Sequence, residues 1–184
     1  MSERSTALKP QDVFVACQLA IWEGEKWTYV QLAERLHLSP SGVFEALGRC
    51  RAAKLVASTN QGAQVVGQRL FDYLIHGVPT SFYPRKLEVV RGIATATFSP
   101  LFRARFTKDG DIPIVWPYAK GKDMGEGLIP LYPTIPIACS QNQPLYNIMA
   151  AVDILRVGRA REREAAVSYL ENLLRIEEPV KPAA

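Results

Sequence analysis

The chain has 184 residues, 48% of them hydrophobic and 22% charged, with a net charge of +4. That length suits one domain, or a small domain with a sizeable extension, and the apolar content supplies an ordinary core, which excludes broad disorder. No apolar run approaches the roughly 20 residues that span a bilayer, and the polar start MSERSTALKPQ lacks a secretory apolar stretch, so the expected setting is cytoplasmic with no membrane partner.

Residues 1–9 read as a flexible tail. From Pro10 to about Gly24, apolar residues at Val13, Phe14, Cys17, Ile21 and Trp22 make a wide helical face. Thr28 followed by Gln31 predicts a capping box, and Leu32, Ala33 and Leu36 continue as the stripe of a second helix. His37-Leu38-Ser39 is a tight turn. Ser39 caps a third helix and Pro40 takes its first position, where a missing N–H costs nothing. Val43, Leu47 and Cys50 face inward, and Phe44 and Leu55 close the side of the packing. His37 stands where such turns usually carry Gly, because the position needs positive φ, which His tolerates better than most residues. Leu55–Ser58 and Gln64–Val66 then read as two short strands joined by a turn with Asn60 and Gly62. Leu70, Phe71, Leu74 and Ile75 make another helical face ending at Gly77, with His76 beside that end.

Residues 10–76 resemble the winged helix-turn-helix domain of bacterial transcriptional regulators, broadly of the MarR-like kind. The phrase WTYVQLAERLHLSPSGVFEALGRCRAAKLV has that family's order of second helix, turn, recognition helix and start of a wing. The resemblance implies a DNA-binding regulator, expected to act as a repressor and as a homodimer on double-stranded DNA. The outward residues at the start of the recognition helix are then Ser39, Ser41, Gly42 and Glu45, with Arg49 the leading base or phosphate contact. Lys26, Arg51 and Lys54 flank the unit as phosphate contacts. The plainer reading of Arg51 and Lys54 is that cations favour a helix carboxyl end. The wing holds no Lys or Arg between Leu55 and Gln68, which leaves Asn60 and Gln61 as backbone and amide contacts. The same fold also serves as a protein-interaction module. The alternative is therefore an antitoxin or defence-system adaptor that binds a partner encoded nearby and also represses its own operon.

Residues 78–142 change character. Proline recurs, and short extended pieces are readable at Leu87–Val90, Ile93–Phe98, Phe102–Phe106 and Ile112–Trp116. Lys108 to Asp111 forms a tight turn. Lys120–Gly127 reads as a glycine-rich charged loop without the phosphate-loop pattern, and LIPLYPTIP as an extended strap. This segment carries eight Lys/Arg against five Asp/Glu, while residues 1–76 and 143–184 are near balance. Arg85, Lys86, Arg91, Arg103, Arg105, Lys120 and Lys122 make either a patch or a merely solvated surface.

Residues 143–176 are helical again. Asn142 or Gln143 caps, Pro144 starts the helix, and Leu145, Ile148, Met149, Val152 and Leu155 form a stripe. Gly158 breaks it, and the stripe resumes at Ala166, Tyr169, Leu170, Leu173 and Leu174. That stripe either carries a dimer interface or covers the middle segment within one chain. Arg156, Arg159 and Arg163 form a basic face interleaved with Glu162 and Glu164. Residues 177–184 are a tail.

The expected fold is thus α+β and mainly α. A winged helix-turn-helix over 10–77 leads into an irregular proline-rich, β-containing extension over 78–142, then C-terminal helices. Cys17, Cys50 and Cys139 are scattered in apolar contexts and read as buried thiols. No CxxC, HExxH, GxSxG or GxGxxG spacing occurs, so no enzyme, cofactor or metal is expected.

Overall fold

The computed structural model describes residues 7–22, 26–59 and 62–176, and it is an α+β fold dominated by helices. α1 (Pro10–Ala20) is not a one-faced amphipathic helix: every residue from Asp12 to Leu19 is buried. α2 (Tyr29–Leu36) and α3 (Pro40–Ala52) pack against it and each other. β1 (Val56–Thr59) and β2 (Gly62–Val65) form an antiparallel hairpin with Val56 opposite Val65 and Thr59 opposite Gly62. The hairpin closes on α1 through β2 and on α3 through β1.

α4 (Gly67–Asp72) does not stop at Gly77. It widens into a π turn over Tyr73–Gly77 and runs on as α5 (Val78–Ser81), with the Val78 N–H donating to the Tyr73 carbonyl. Gly77 serves close approach here rather than termination: a Cβ on it would lie 2.3 Å from the Tyr73 ring. His76 therefore sits inside a continuous helical stretch, away from the carboxyl end expected for it.

The middle segment departs furthest from its sequence pattern. β3 (Lys86–Ala94) pairs antiparallel with both β4 (Ile114–Pro117) and β5 (Asp123–Leu128), and β4 pairs parallel with β5, closing a three-stranded barrel. So small a closure forces backbones together. A Cβ at Gly92 would lie 2.0 Å from the Trp116 carbonyl oxygen, and one at Gly125 2.1 Å from that of Pro113. Most of the stretch read as a glycine-rich loop is consequently strand. The piece expected as a strand over Ile93–Phe98 ends its pairing at Ala94 and turns through a 3₁₀ helix at Ala96–Phe98. The Phe102–Phe106 piece is α6 (Arg103–Phe106), its first amides bonded to the Ser99 carbonyl. The expected strap 128–136 ends in α7 (Ile135–Ser140), where Pro136 lies in the first helical turn and no N–H is needed.

α8 (Gln143–Val157) starts under the Asn142 cap, whose Oδ1 accepts from the Leu145 N–H at 3.1 Å, and ends at Gly158. α9 (Ala160–Leu174) folds back on α8 and α4. From Ile148 to Arg156 every residue of α8 is buried within the one chain. Its stripe is covered by α1, α5, α7 and α9, so it is not free for a partner copy. One hydrophobic cluster runs from Val13 to Leu170. In the α9 half of the stripe, Ala166 and Leu170 are buried in this cluster, and Tyr169, Leu173 and Leu174 are half-buried against it. Among the described residues no helix is long and apolar enough to cross a membrane.

α8 also carries a charge into this core. Asp153 Oδ2 accepts from Trp116 Nε1 at 2.6 Å and Thr95 Oγ1 at 2.9 Å, and Oδ1 accepts from Arg156 Nη1 at 2.7 Å. Arg156 Nε then donates to the Phe82 carbonyl at 3.0 Å. Arg156 is thus buried and leaves the basic face expected with Arg159 and Arg163. Burial pushes the Asp153 carboxyl up, and Arg156 with the two neutral donors pulls against it.

Three outcomes follow for the isolated protein. Asp153→Ala strands the Arg156 guanidinium and should lower unfolding stability by about 3–5 kcal/mol, read from the urea midpoint. All three cysteines are free and buried, and burial pushes the Cys50 thiol up to about 12 and those of Cys17 and Cys139 upward. At pH 8 a disulfide-exchange reagent should therefore label the native protein only at its unfolding rate. A raised thiol pKa contributes stability that is present below the unfolded value of 9.0 and is lost as pH climbs toward about 12. Unfolding stability should fall through that alkaline window.

Candidate nucleic-acid interface

The elements around α3 are fixed by local chemistry. The Thr28 Oγ1 accepts from the Gln31 N–H at 3.2 Å, and the Gln31 Oε1 accepts from the Thr28 N–H at 2.9 Å, which satisfies two amino-terminal amides of α2. At its other end His37 takes φ 52° and ψ 46°. The Leu38 N–H donates to the Ala33 carbonyl at 2.9 Å and the His37 N–H to that of Glu34 at 3.2 Å, the two bonds of a Schellman closure. Leu38 therefore drops back toward Ala33, and the extended Ser39 leads into the next helix. Ser39 caps α3 by accepting from the Gly42 N–H at 3.0 Å.

The same closure ends α3, with Lys54 at φ 59°, its N–H on the Arg51 carbonyl and the Leu55 N–H on that of Cys50, each at 2.9 Å. Lys54 is thus an exposed cation at a helix carboxyl end as well as a candidate phosphate contact.

Arg49 is the main departure from expectation. It does not reach outward. Its Nε and Nη2 donate to the two oxygens of Asp12 at 2.8 and 2.7 Å, and Asp12 is wholly buried in α1. Only its Nη1 turns toward solvent, 3.9 Å from Glu45. The leading base contact is therefore the clamp between α1 and α3. Gly42 is likewise a packing position, since a Cβ there would lie 3.0 Å from both Gln11 Nε2 and Ser39 Oγ. Ser39 Oγ is held by its cap and by Ser41 Oγ at 3.1 Å. Arg51 lies half-buried, with Nη2 3.4 Å from the Tyr29 hydroxyl and a buried Nε that has no partner. Ser41, Glu45 and Lys26 are exposed as expected. Asn60 and Gln61, the wing contacts, lie outside the described residues.

What α3 does present is Pro40, Ser41, Phe44, Glu45, Gly48 and Ala52, one outward stripe. Phe44 was expected to close the packing, and it is 58% exposed. Its ring lies 5.6 Å from Tyr29, which is 5.5 Å from Trp27, and Trp27 Nε1 donates to the Ala63 carbonyl at 3.3 Å. Val30 on α2 is 53% exposed. The pattern of residues does not foretell this, because Phe44 lies one residue from a buried position and its type alone argues for the core. No protein-family model, curated protein or solved structure matches the chain.

Arg49→Ala should be read as a stability variant. Leaving the Asp12 carboxylate uncompensated is expected to cost about 3–5 kcal/mol in urea unfolding. Arg49→Lys should recover only part of that, because a point charge cannot replace the two-bond fork.

Proposed function

We propose that the chain is a winged-helix regulator that binds double-stranded DNA through α3 and the β1–β2 hairpin, as a two-fold pair, and represses transcription. The observation that carries this reading is the α2–α3 unit. Its left-handed His37 and serine cap turn the chain within three residues and leave Pro40 and Ser41 at the start of α3 exposed. Recognition helices meet the major groove with that end. Ser41 and Glu45 are then the base-edge contacts, Glu45 accepting from cytosine N4, and Lys26, Lys54 and the solvent edge of Arg51 meet phosphates. With Arg49 committed to Asp12, sequence reading rests on few groups, so discrimination between sites is modest. The pairing surface is one other than the α8 stripe.

A second reading has its own observation. Phe44 and the open Gly48 on α3, with Val30 of the neighbouring α2, give a small apolar patch on which Glu45 is the one charged residue of the α3 stripe. An aromatic anchor with few charges around it is the composition of a protein interface core. It suits an antitoxin or adaptor that seats a partner protein encoded nearby on this helix.

Titration of the protein onto its own upstream region over a salt series separates the two. Under the first reading Glu45→Ala should relax base preference, and Lys54→Ala should lower the log–log salt slope by about one unit with preference unchanged. Under the second, Phe44→Asp should abolish co-purification with the neighbouring gene product while Glu45→Ala and Lys54→Ala leave DNA retention unaltered. An unchanged slope in Lys54→Ala assigns that lysine to the helix end alone.

A further inference from the structure

Two basic runs far apart in sequence meet at one place in the fold. Arg105 and Phe106 of α6 form one wall of a cleft of about 370 Å³, and Arg159, Ala160, Arg161 and Glu162 at the start of α9 form the other. An adjoining cleft shares Phe106, Arg159 and Glu162 and extends over Phe98 and Ile112. Three of the cations expected on basic surfaces are engaged elsewhere. Lys86 pairs with Glu126 at 2.9 Å, Arg91 donates to the Gly121 carbonyl at 3.3 Å, and Arg156 is in the core.

The three cleft arginines are not so employed. None stands within ion-pair distance of a described carboxylate. Glu162, the acid on the cleft wall, turns its Oε2 back to the Arg159 N–H at 2.7 Å. The Arg105 guanidinium lies over the Phe106 ring, 5.2 Å from its centroid. Three like charges on one cleft repel, and the arrangement is relieved by an anion between them. All three are Arg rather than Lys, the side chain that meets phosphate with a two-bond fork and stacks on planar rings.

We propose that this cleft is a second nucleic-acid surface, separate from α3, in which Arg105, Arg159 and Arg161 hold consecutive phosphates of a single strand and Phe106, with Phe98 and Ile112 beyond it, meets the bases. A charged groove interleaved with aromatic faces is the arrangement that tracks a single strand with little sequence preference. A carboxylate-rich peptide would engage the guanidiniums and leave the apolar floor unused, which favours the nucleic acid.

The test is fluorescence anisotropy of the full-length chain with a labelled single-stranded oligonucleotide across a salt series. It compares the parent protein with R105A/R159A/R161A and with the triple lysine variant. All three arginines are exposed, so the fold should persist, and far-ultraviolet dichroism checks it. If the triple variant loses helicity, Arg161→Ala alone is read for its single increment. The expected result is a loss of about tenfold or more in affinity and a fall of about two units in the log–log slope for three lost phosphates on a single strand. The lysine variant should keep the slope and lose part of the affinity. Three results overturn the proposal: a parent that does not bind the oligonucleotide, an alanine variant with parental slope and affinity, and polyglutamate binding as tightly as the oligonucleotide, which would assign the cleft to an acidic protein. Loss in the arginine variant with Glu45→Ala and Lys54→Ala unchanged supports this surface and leaves α3 to be decided by the duplex titration. Loss in Glu45→Ala and Lys54→Ala with the arginine variant unchanged overturns this surface.

Discussion

The fold turns on a carboxylate placed where water cannot reach it. Asp153 sits in the middle of α8, 1% exposed, and takes one hydrogen bond from each of three elements' worth of structure: Trp116 of β4, Thr95 at the end of β3, and Arg156 one turn on along α8. Arg156 then ties in the segment after α5 through the Phe82 carbonyl. A buried ion of this kind is poor value as bulk stability, since the cost of desolvating it rivals the attraction it gains. Its consequence is placement. An apolar core accepts many orientations of a small barrel on a helix, whereas three directed donors on two oxygen atoms accept few. The Tyr146 hydroxyl, donating to the Ala94 carbonyl, adds a second tie between α8 and the end of β3.

Asp12 does the same at the other end of the core. Its carboxylate accepts the Lys9 N–H at 2.8 Å as part of the cap of α1, and then both arms of Arg49. One side chain thus closes a helix terminus and fixes the angle at which α3 crosses α1. Because α1 also packs on α8, the two buried acids stand on two touching helices and set α3 on one side and the barrel on the other. The orientation of the outward stripe of α3 is therefore a consequence of Arg49 facing inward. An arginine turned to solvent there would leave Asp12 buried without a partner, which is the more costly state.

Where the sequence was legible, the determinants were local. The Thr28–Gln31 box, the Ser39 cap and the Asn142 cap are each complete within three residues, and the need for positive φ at His37 follows from the length of the turn. What was not legible depends on a second strand or helix arriving from elsewhere. Gly92 and Gly125 look like loop residues until another backbone lies 2 Å from where their Cβ would be. Gly77 looks like a stop until the Tyr73 ring covers it, and Pro136 looks like punctuation until it begins α7. Arg49 and Arg156 were placed on surfaces because each was judged by its own helix. The usable signal lay with their partners: an Asp inside PQDVFVAC and another inside AAVDILRV interrupt apolar runs, and a carboxylate there requires a cation. The candidate site was legible to the same degree. The positions at Ser41, Glu45, Lys26 and Lys54 are exposed, and the chemistry expected of Arg49 and Gly42 went to packing.

The distribution of charge that results bears on how such a molecule can act. Of the cations around α3, one is spent on Asp12, one is half-buried against Tyr29, and one terminates the helix. The outward stripe of that helix is serine, phenylalanine, glutamate, glycine and alanine. Contact energy with nucleic acid comes mainly from neutralised phosphates, whereas specificity comes from base edges. A helix with this stripe supplies little of the first and a restricted amount of the second. Three guanidiniums without a carboxylate partner, Arg105, Arg159 and Arg161, line one cleft where α6 meets α9, outside the segment that resembles a DNA-binding domain. A surface that orients and a surface that attracts would then be different surfaces, joined through α8 and held in register by its buried acid. Affinity for nucleic acid and choice of site would accordingly respond to separate substitutions, which is the opposite of what a single basic recognition helix gives.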